Sequence, residues 1–206
     1  AGAGLSNPKA VRILAEEGPR ILNEMLIKRL QVPFAHAADG RLDYTREGAH
    51  STERILYVGD LTGRAIEEKL VERLQQMPNL CIMPCHSAVD LLTPAHHSRD
   101  PLDVYEPLSC IGAYIFDQET RRVETCLAKF TLLATGGLGQ IFLHTTNPPG
   151  ARGDGLAMAS RAGARIINAE YVQFHPTAFY HRDAPVFLIS EALRGEGAKL
   201  VDERGK

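Results

Sequence analysis

The sequence has no tryptophan, few other aromatic residues and no excess of either charge. It contains six Tyr and seven Phe, and its 23 basic and 25 acidic residues give a formal net charge of -2. No run of Lys and Arg is interleaved with aromatic residues, which is the pattern of many nucleic-acid-binding surfaces. We therefore expect no nucleic acid among the partners.

Long apolar runs are missing as well. None approaches the roughly 20 residues of a membrane-spanning helix, and residues 1–30 lack the basic-then-apolar order of a signal peptide. We expect a cytoplasmic protein that does not contact a membrane.

Cysteine is scarce, with four residues in the chain. Cys81 and Cys85 form one doublet, and no second doublet completes a zinc-site pattern. The adjacent His96 and His97 lie in a stretch rich in Pro, Ser and Asp, which is typical of a surface loop. The sequence therefore predicts no metal site, and its cysteines suit a reducing compartment.

Apolar residues make up 44% of the 206 residues, enough for a substantial core. Helical spacing of apolar residues predicts a helix over residues 8–30, interrupted at Gly18 and Pro19. Thr62 is placed to cap a second amphipathic helix.

Short apolar runs predict the strands. Residues 80–83 and 88–92 are the first two candidates, and the runs 109–117, 121–127 and 130–134 predict a three-stranded β-meander that leads into a glycine turn. The pattern favours an α/β fold.

Two glycine-containing segments can approach a ligand closely. Gly136 and Gly137 follow an apolar run, so their amides can point at a pyrophosphate or a flavin, or they form only a tight turn. Asp154 begins a helix of small residues, where it either caps the helix or accepts a hydrogen bond from a ligand hydroxyl.

Several charged residues carry two interpretations each. The proline after His175 favours an extended backbone, so its imidazole can hold a carboxylate or move a proton, or can be structural. Glu191 and Arg194 can form an ion pair within one helix. Taken alone, Glu47 is an ordinary solvated acid.

Taken in order, these motifs resemble the flavoprotein family of succinate dehydrogenase and fumarate reductase. The most specific segments are residues 46–56, 134–137, 146–148, 153–155, 173–177 and 191–197. The resemblance implies part of a Rossmann-like FAD-binding domain over residues 1–167, followed by the start of an α+β capping domain over residues 168–206.

The resemblance also implies a role for ten residues. Those expected at FAD are Ser87, Ala88, Thr135, Gly136, Gly137 and Asp154. Those expected at the substrate are Glu47, His175, Ser190 and Glu191. Ser190 stands where the family usually has Thr, which keeps the hydroxyl group.

Glu47 points to one branch of the family. A glutamate in this context resembles the branch that oxidises L-aspartate to iminoaspartate and passes electrons to oxygen or fumarate, because a carboxylate can pair with the substrate ammonium. The resemblance then implies a place in NAD biosynthesis, with quinolinate synthase as a possible partner in the pathway.

The sequence begins after the FAD fingerprint of this family and ends before its catalytic arginine. It therefore resembles an internal fragment, for which we expect little flavin binding and no activity in isolation. Two alternatives stay open at this stage: a succinate dehydrogenase or fumarate reductase flavoprotein, and a folded module without catalysis.

Overall fold

The computed structural model describes residues 4–47, 50–175, 177–189 and 191–206, apart from the side chains of Pro185, Glu191 and Ala192. The chain divides into two compact units. We call Ala1–Ile82 together with Ser190–Lys206 the terminal unit, and Met83–Ile189 the central unit.

The described elements make a mixed α/β fold, as the sequence predicts. The α-helices are α1 (Pro8–Leu22), α2 (Thr62–Gln75), α3 (Pro94–His97), α4 (Asp154–Arg161) and α5 (Glu191–Gly195). The strands are β1 (His86–Leu92), β2 (Gly112–Asp117), β3 (Arg122–Leu127), β4 (Ala178–His181) and β5 (Ala184–Leu188). Within the described part of the chain, no helix is long and apolar enough to cross a bilayer.

A small apolar core holds the terminal unit together. Its buried members are Leu30, Val32, Phe34 and Leu56. Partly buried residues on the helices pack against them, including Leu26 and, on α2, Ile66. The core therefore fixes the segment after α1 against the amphipathic face of α2.

Helix α1 is longer and more regular than predicted. The Asn7 side chain accepts a hydrogen bond from the Lys9 amide at 2.9 Å, and the helix then runs through Gly18 and Pro19 to Leu22. The predicted interruption at Gly18 and Pro19 is wrong: Pro19 has no amide to donate, but its carbonyl still accepts a hydrogen bond from the Asn23 amide, and the helix continues through both residues. A π-helical segment, Asn23–Arg29, follows instead.

The second helix is confirmed, but Thr62 does not cap it. Leu61 occupies the capping position, and Thr62 is the first helical residue. The Thr62 hydroxyl accepts a hydrogen bond from the Val58 amide at 3.0 Å. It therefore stabilises the turn before α2 rather than the first amides of the helix.

The central unit contains a three-stranded antiparallel sheet in the order β1-β2-β3. The meander is confirmed for its first two runs, which form β2 and β3. The third strand of the sheet is β1, which contains the predicted strand 88–92, whereas residues 130–134 and 80–83 form no regular strand. Gly112 pairs with Leu127 and has φ 146°, and a Cβ there would overlap the carbonyl of Cys126. Only glycine fits this close approach between strands.

A second sheet in the central unit is the hairpin of β4 and β5. Phe179 pairs with Phe187, and their rings lie 5.1 Å apart between centroids. The residues at the open end of this hairpin, Thr177 and Ile189, are joined by a 3.0 Å hydrogen bond from the Ile189 amide to the Thr177 carbonyl.

One ion pair joins α4 to the sheet. Arg161 near the end of α4 donates two hydrogen bonds, of 3.0 and 3.2 Å, to the two carboxylate oxygens of Asp90 on β1. The guanidinium lowers the pKa of Asp90 from its ordinary value of 3.8.

We predict a pH-dependent stability contribution from this pair. The pKa of Asp90 is lower in the folded chain than in the unfolded chain, so the pair stabilises above pH 3.8 and its effect is lost as the pH falls through the lowered value. Since both side chains are partly exposed, Asp90→Asn should reduce the free energy of unfolding by about 0.5–1 kcal/mol at pH 7. Urea unfolding at pH 7 and near pH 3 measures the difference, which should shrink in acid.

The matched control is Glu124→Gln, which removes an exposed acid of β3. It should change the free energy of unfolding by less than about 0.5 kcal/mol at either pH. A loss at Asp90→Asn that stays constant down to pH 3 would contradict an ionic contribution.

Candidate functional site

The central unit contains a cavity of about 590 Å³. Two of the residues predicted to contact ligands line it, Gly137 and His175. Its wall is mixed, with apolar side chains such as Phe142 and Leu188 beside polar ones such as Asn147. A cavity of this size, with a few polar groups on an apolar wall, is typical of a small-molecule site.

The two glycine motifs meet at Gly137, which lines this cavity. The Gly153 amide donates a 3.1 Å hydrogen bond to the Gly137 carbonyl. Gly155 lies in the first turn of α4, and a Cβ added there would overlap the side chain of Thr135. Glycine at position 155 therefore lets α4 approach the turn that contains Gly136.

The turn at Gly136 and Gly137 leaves open space beside its backbone. Among the described residues, no atom lies within 4 Å of the position that a Cβ would take at Gly136 or at Gly137. Gly136 has φ 73°, which favours glycine on conformational grounds, but Gly137 has no such requirement. The missing side chain at Gly137 leaves room for a ligand rather than relieving backbone strain.

Asp154 is the first residue of α4, as predicted. No side-chain capping bond is present at this helix start, and the Asp154 carboxylate instead pairs with Arg152 at 3.2 Å. The side chain is 59% exposed, so the carboxylate oxygens remain open to a hydroxyl donor. The structure therefore shows no capping bond from Asp154, and its place at a ligand hydroxyl stays a prediction from the sequence.

Ser87 and Ala88 lie on β1, outside the described lining of the cavity. The Ser87 hydroxyl accepts a 2.8 Å hydrogen bond from the Gln118 side chain. Their place at a cofactor therefore stays a prediction from the sequence.

His175 is held by the residue two positions later. The Thr177 amide donates a hydrogen bond to His175 Nδ1 at 3.2 Å. Because Nδ1 accepts this bond, the neutral ring carries its proton on Nε2. In this tautomer Nε2–H is the donor of the ring, a group that bonds carboxylate and carbonyl oxygens.

The sequence did not single out His144, which lines the same cavity. Its ring meets Tyr180 of β4 edge-on at 4.8 Å between centroids. His144 and His175 are 31 positions apart, and no local pattern connects them. The adjoining segment 146–148 was recognised only through the family resemblance.

Three of the substrate-side predictions, Glu47, Ser190 and Glu191, fall in the terminal unit. A Cβ added to Gly195 at the end of α5 would meet the Arg46 carbonyl and would lie 3.5 Å from the Glu47 Cα. The segment that carries the exposed Glu47 therefore packs on α5, which begins at Glu191. Ser190 lies outside the described residues, as does the side chain of Glu191.

Comparison with known proteins decides the family. A family model described as FAD binding domain matches residues 1–206. The chain belongs to this FAD binding domain family. FAD is accordingly the cofactor of the fold, as the sequence analysis expected.

The chain is similar to known relatives and to a solved structure over nearly its whole length. L-aspartate oxidase 1 of Ralstonia nicotianae is 45% identical over 98% of the chain, and L-aspartate oxidase of Vibrio cholerae is 41% identical over 97%. The chain spans 37% of the length of each. The fold is similar to a variant of E. coli quinol fumarate reductase FrdA, with a TM-score of 0.82 and 24% identity over 96% of this chain and 31% of that one.

The described residues fit FAD. Open space at Gly136 and Gly137 gives a flat group access to the backbone, and Gly137 faces the cavity. Asp154 presents an exposed carboxylate one residue after the amide that bonds Gly137. Amides beside a glycine turn and a carboxylate for a ribose hydroxyl are groups that a dinucleotide requires.

Proposed function

We propose that the protein is an FAD-dependent L-aspartate oxidase, which converts L-aspartate to iminoaspartate and passes electrons to oxygen or fumarate. The observation that carries this proposal is the 41–45% identity to proteins named L-aspartate oxidase over 97–98% of the chain. The backbone of Glu47 packs on α5 and its side chain is exposed, and this carboxylate gives a physical reason for a substrate with an ammonium group.

The cofactor side of the proposal rests on the turn and helix α4. Gly136, Gly137 and Asp154 would hold FAD, with Thr135 setting the approach of α4, and Ser87 and Ala88 would contribute from β1. When bound, FAD supplies the two-electron oxidation that the reaction needs. Residues 1–167 would form part of a Rossmann-like FAD-binding domain, and a capping domain would begin near Asn168, where the chain turns with φ 56°.

The residues proposed at the substrate fall into two groups, one for its carboxylate and one for its ammonium. His175 would donate Nε2–H to one substrate carboxylate, and Ser190 would add its hydroxyl. Glu47 would pair with the substrate ammonium, and Glu191 would support this polar network. Pairing of opposite charges in a partly dry site discriminates aspartate from succinate, which lacks the ammonium.

A succinate dehydrogenase or fumarate reductase flavoprotein is the second candidate. The fold similarity to fumarate reductase favours it. It requires the same anion-binding residues but gives Glu47 no role, so the two candidates differ in what a change at this residue does.

The test is Glu47→Gln in the complete protein. This change keeps the size of the side chain and removes its charge. We expect kcat/KM for L-aspartate to fall about tenfold, which corresponds to about 1.4 kcal/mol, and kcat/KM for succinate to stay equal or rise. Steady-state kinetics with both substrates measure the ratio.

The control is Glu53→Gln, which removes another exposed glutamate of the same unit. It should leave the ratio of the two substrates unchanged. Equal loss for both substrates at Glu47→Gln would contradict the pairing, and a wild-type protein that oxidises succinate but not L-aspartate would favour the second candidate.

Location and partners follow from the same proposal. The four cysteines are present as free thiols, which suits the reducing cytoplasm. Iminoaspartate is a reactive product, so a consuming enzyme such as quinolinate synthase is a reasonable partner for NAD biosynthesis. Co-purification of the two proteins tests this part.

A further inference from the structure

The backbone of Glu47 is held from both sides, although its side chain is exposed. Two residues before it, the Thr45 amide donates a 2.9 Å hydrogen bond to the Ile55 carbonyl. Only Arg46 separates Glu47 from this bridge. After it, the His50 amide donates a 3.1 Å hydrogen bond to the Glu47 carbonyl. The Cα of Glu47 therefore has little freedom to move.

The base of the same segment is fixed to the core of the terminal unit. The Tyr57 hydroxyl donates a 2.6 Å hydrogen bond to the Asp43 carboxylate, and the neighbouring Leu56 is a buried member of that core. The Ala35 amide donates to the Tyr57 carbonyl, and the Asp43 amide donates to the Ala35 carbonyl, both at 2.9 Å. A displacement at the tip of the segment is therefore not absorbed at its base.

Gly195, at the end of α5, approaches the tip of this segment. A Cβ there would overlap the Arg46 carbonyl oxygen and would lie 3.4 Å from its carbonyl carbon and 3.5 Å from the Glu47 Cα. The φ of Gly195 lies outside the left-handed region, so the close approach, and not the backbone conformation, requires glycine. Since the atoms met are backbone atoms, a side chain at this position would force either Glu47 or α5 to move.

Helix α5 also has little slack at this end. The Gly197 amide donates a 3.0 Å hydrogen bond to the Arg194 carbonyl, and the Ala198 amide donates a 2.9 Å hydrogen bond to the Leu193 carbonyl. These two bonds close the chain directly after Gly195. Two tightly held backbones thus meet where no side chain separates them.

The same helix begins at Glu191, directly after Ser190. We place both residues at the substrate, on the opposite side of the charge pattern from Glu47. The spacing between Glu47 and α5 is therefore a spacing within the proposed substrate site.

We propose that Gly195 is a positioning residue that determines specificity, because its missing side chain sets the distance from Glu47 to α5. L-aspartate needs this distance to be correct, since its ammonium pairs with Glu47 while its carboxylates are bound by other residues. Succinate has no ammonium and makes no use of Glu47. An error in the spacing should therefore weaken the reaction of aspartate more than that of succinate. The inference rests on the proposed function.

The experiment is Gly195→Ala in the complete protein. We expect the ratio of kcat/KM for L-aspartate to kcat/KM for succinate to fall about tenfold, at wild-type FAD content and with a wild-type circular dichroism spectrum. The matched control is Gly63→Ala on α2, where the described residues leave the Cβ position open and φ is ordinary. It should keep the wild-type ratio.

A double variant separates positioning of Glu47 from a general effect on the site. In the Glu47→Gln background, adding Gly195→Ala should change the ratio by less than about twofold, because the charge on which the spacing acts is gone. An unchanged ratio in Gly195→Ala, or an equal fall of the ratio in both backgrounds, would overturn the inference.

The wild-type protein distinguishes this inference from the proposed function. A wild type that prefers L-aspartate, together with an unchanged ratio in Gly195→Ala, refutes only the role of Gly195. A wild type that oxidises succinate but not L-aspartate refutes both. If Gly195→Ala does not fold, a crystal structure of the wild-type complete protein decides: Gly195 in van der Waals contact with the Arg46 carbonyl supports the inference, and a gap between them overturns it.

Discussion

Gly155→Ala is expected to lower the free energy of unfolding by about 2–3 kcal/mol. The added Cβ would overlap the Thr135 hydroxyl oxygen and lie 2.8 Å from its Cβ and 3.0 Å from its Cγ2. Thr135 is short and two of these atoms are close to its backbone, so the turn or α4 must move. Alanine improves helix propensity by at most about 1 kcal/mol, which is smaller than the cost of the overlap. Urea unfolding of the complete protein measures the net effect.

Gly150→Ala is the matched control, because the described residues leave the space at this position empty and its φ is ordinary. It should change stability by less than about 0.5 kcal/mol. Adding Thr135→Ala to Gly155→Ala removes two of the three overlapping atoms and should recover part of the loss. If Gly155→Ala is as stable as Gly150→Ala, the close approach of α4 to Thr135 is wrong.

The features that the sequence predicts well are local. Helix α4 begins at Asp154, as predicted, because the acid, the glycine before it and the small residues after it are neighbours along the chain. The local sequence also indicates that α4 can approach another element closely, since Gly155 has no side chain. Short-range patterns of this kind need no knowledge of the partner element.

Strand pairing is predicted less well, because it depends on distant residues. Residues 130–134 are as apolar as β1, and they directly follow β3, so they were the natural third strand of the meander. The structure pairs β2 with β1 instead, which brings Leu92 opposite Gly112. A single sequence does not reveal this choice, since both candidates satisfy the same apolar pattern.

The candidate site shows the same limit. The motif of His175 left a structural role open, and the family resemblance implied its place at the substrate, which stays a prediction. The contact of Thr177 with His175 lies within that motif. His144 joins the same cavity through the fold and through its ring contact with Tyr180. Glu47 became informative only through the family resemblance, because an exposed acid in a loop has no local signature of function.

Gly137→Val should weaken FAD binding about 100-fold, which corresponds to about 2.7 kcal/mol. Gly137 lines the cavity, its φ does not require glycine, and the described residues leave its Cβ position open. A side chain there therefore fits the protein alone but occupies the space that we assign to the flavin, and overpacking of a filled site costs energy of this order. Fluorescence titration of the complete apoprotein with FAD measures the dissociation constant, and Gly137→Ala should give an intermediate loss.

We expect Gly137→Val to lose affinity for FAD without a loss of stability of the apoprotein. Circular dichroism and urea unfolding of the Gly137→Val apoprotein should match wild type within about 1 kcal/mol, unlike Gly155→Ala. Gly150→Val introduces the same side chain at an open position outside the cavity lining and should keep the wild-type affinity for FAD. Stoichiometric FAD at wild-type affinity in Gly137→Val would show that the flavin does not lie against this turn, and an unfolded apoprotein would show that the space at Gly137 is filled by the protein itself.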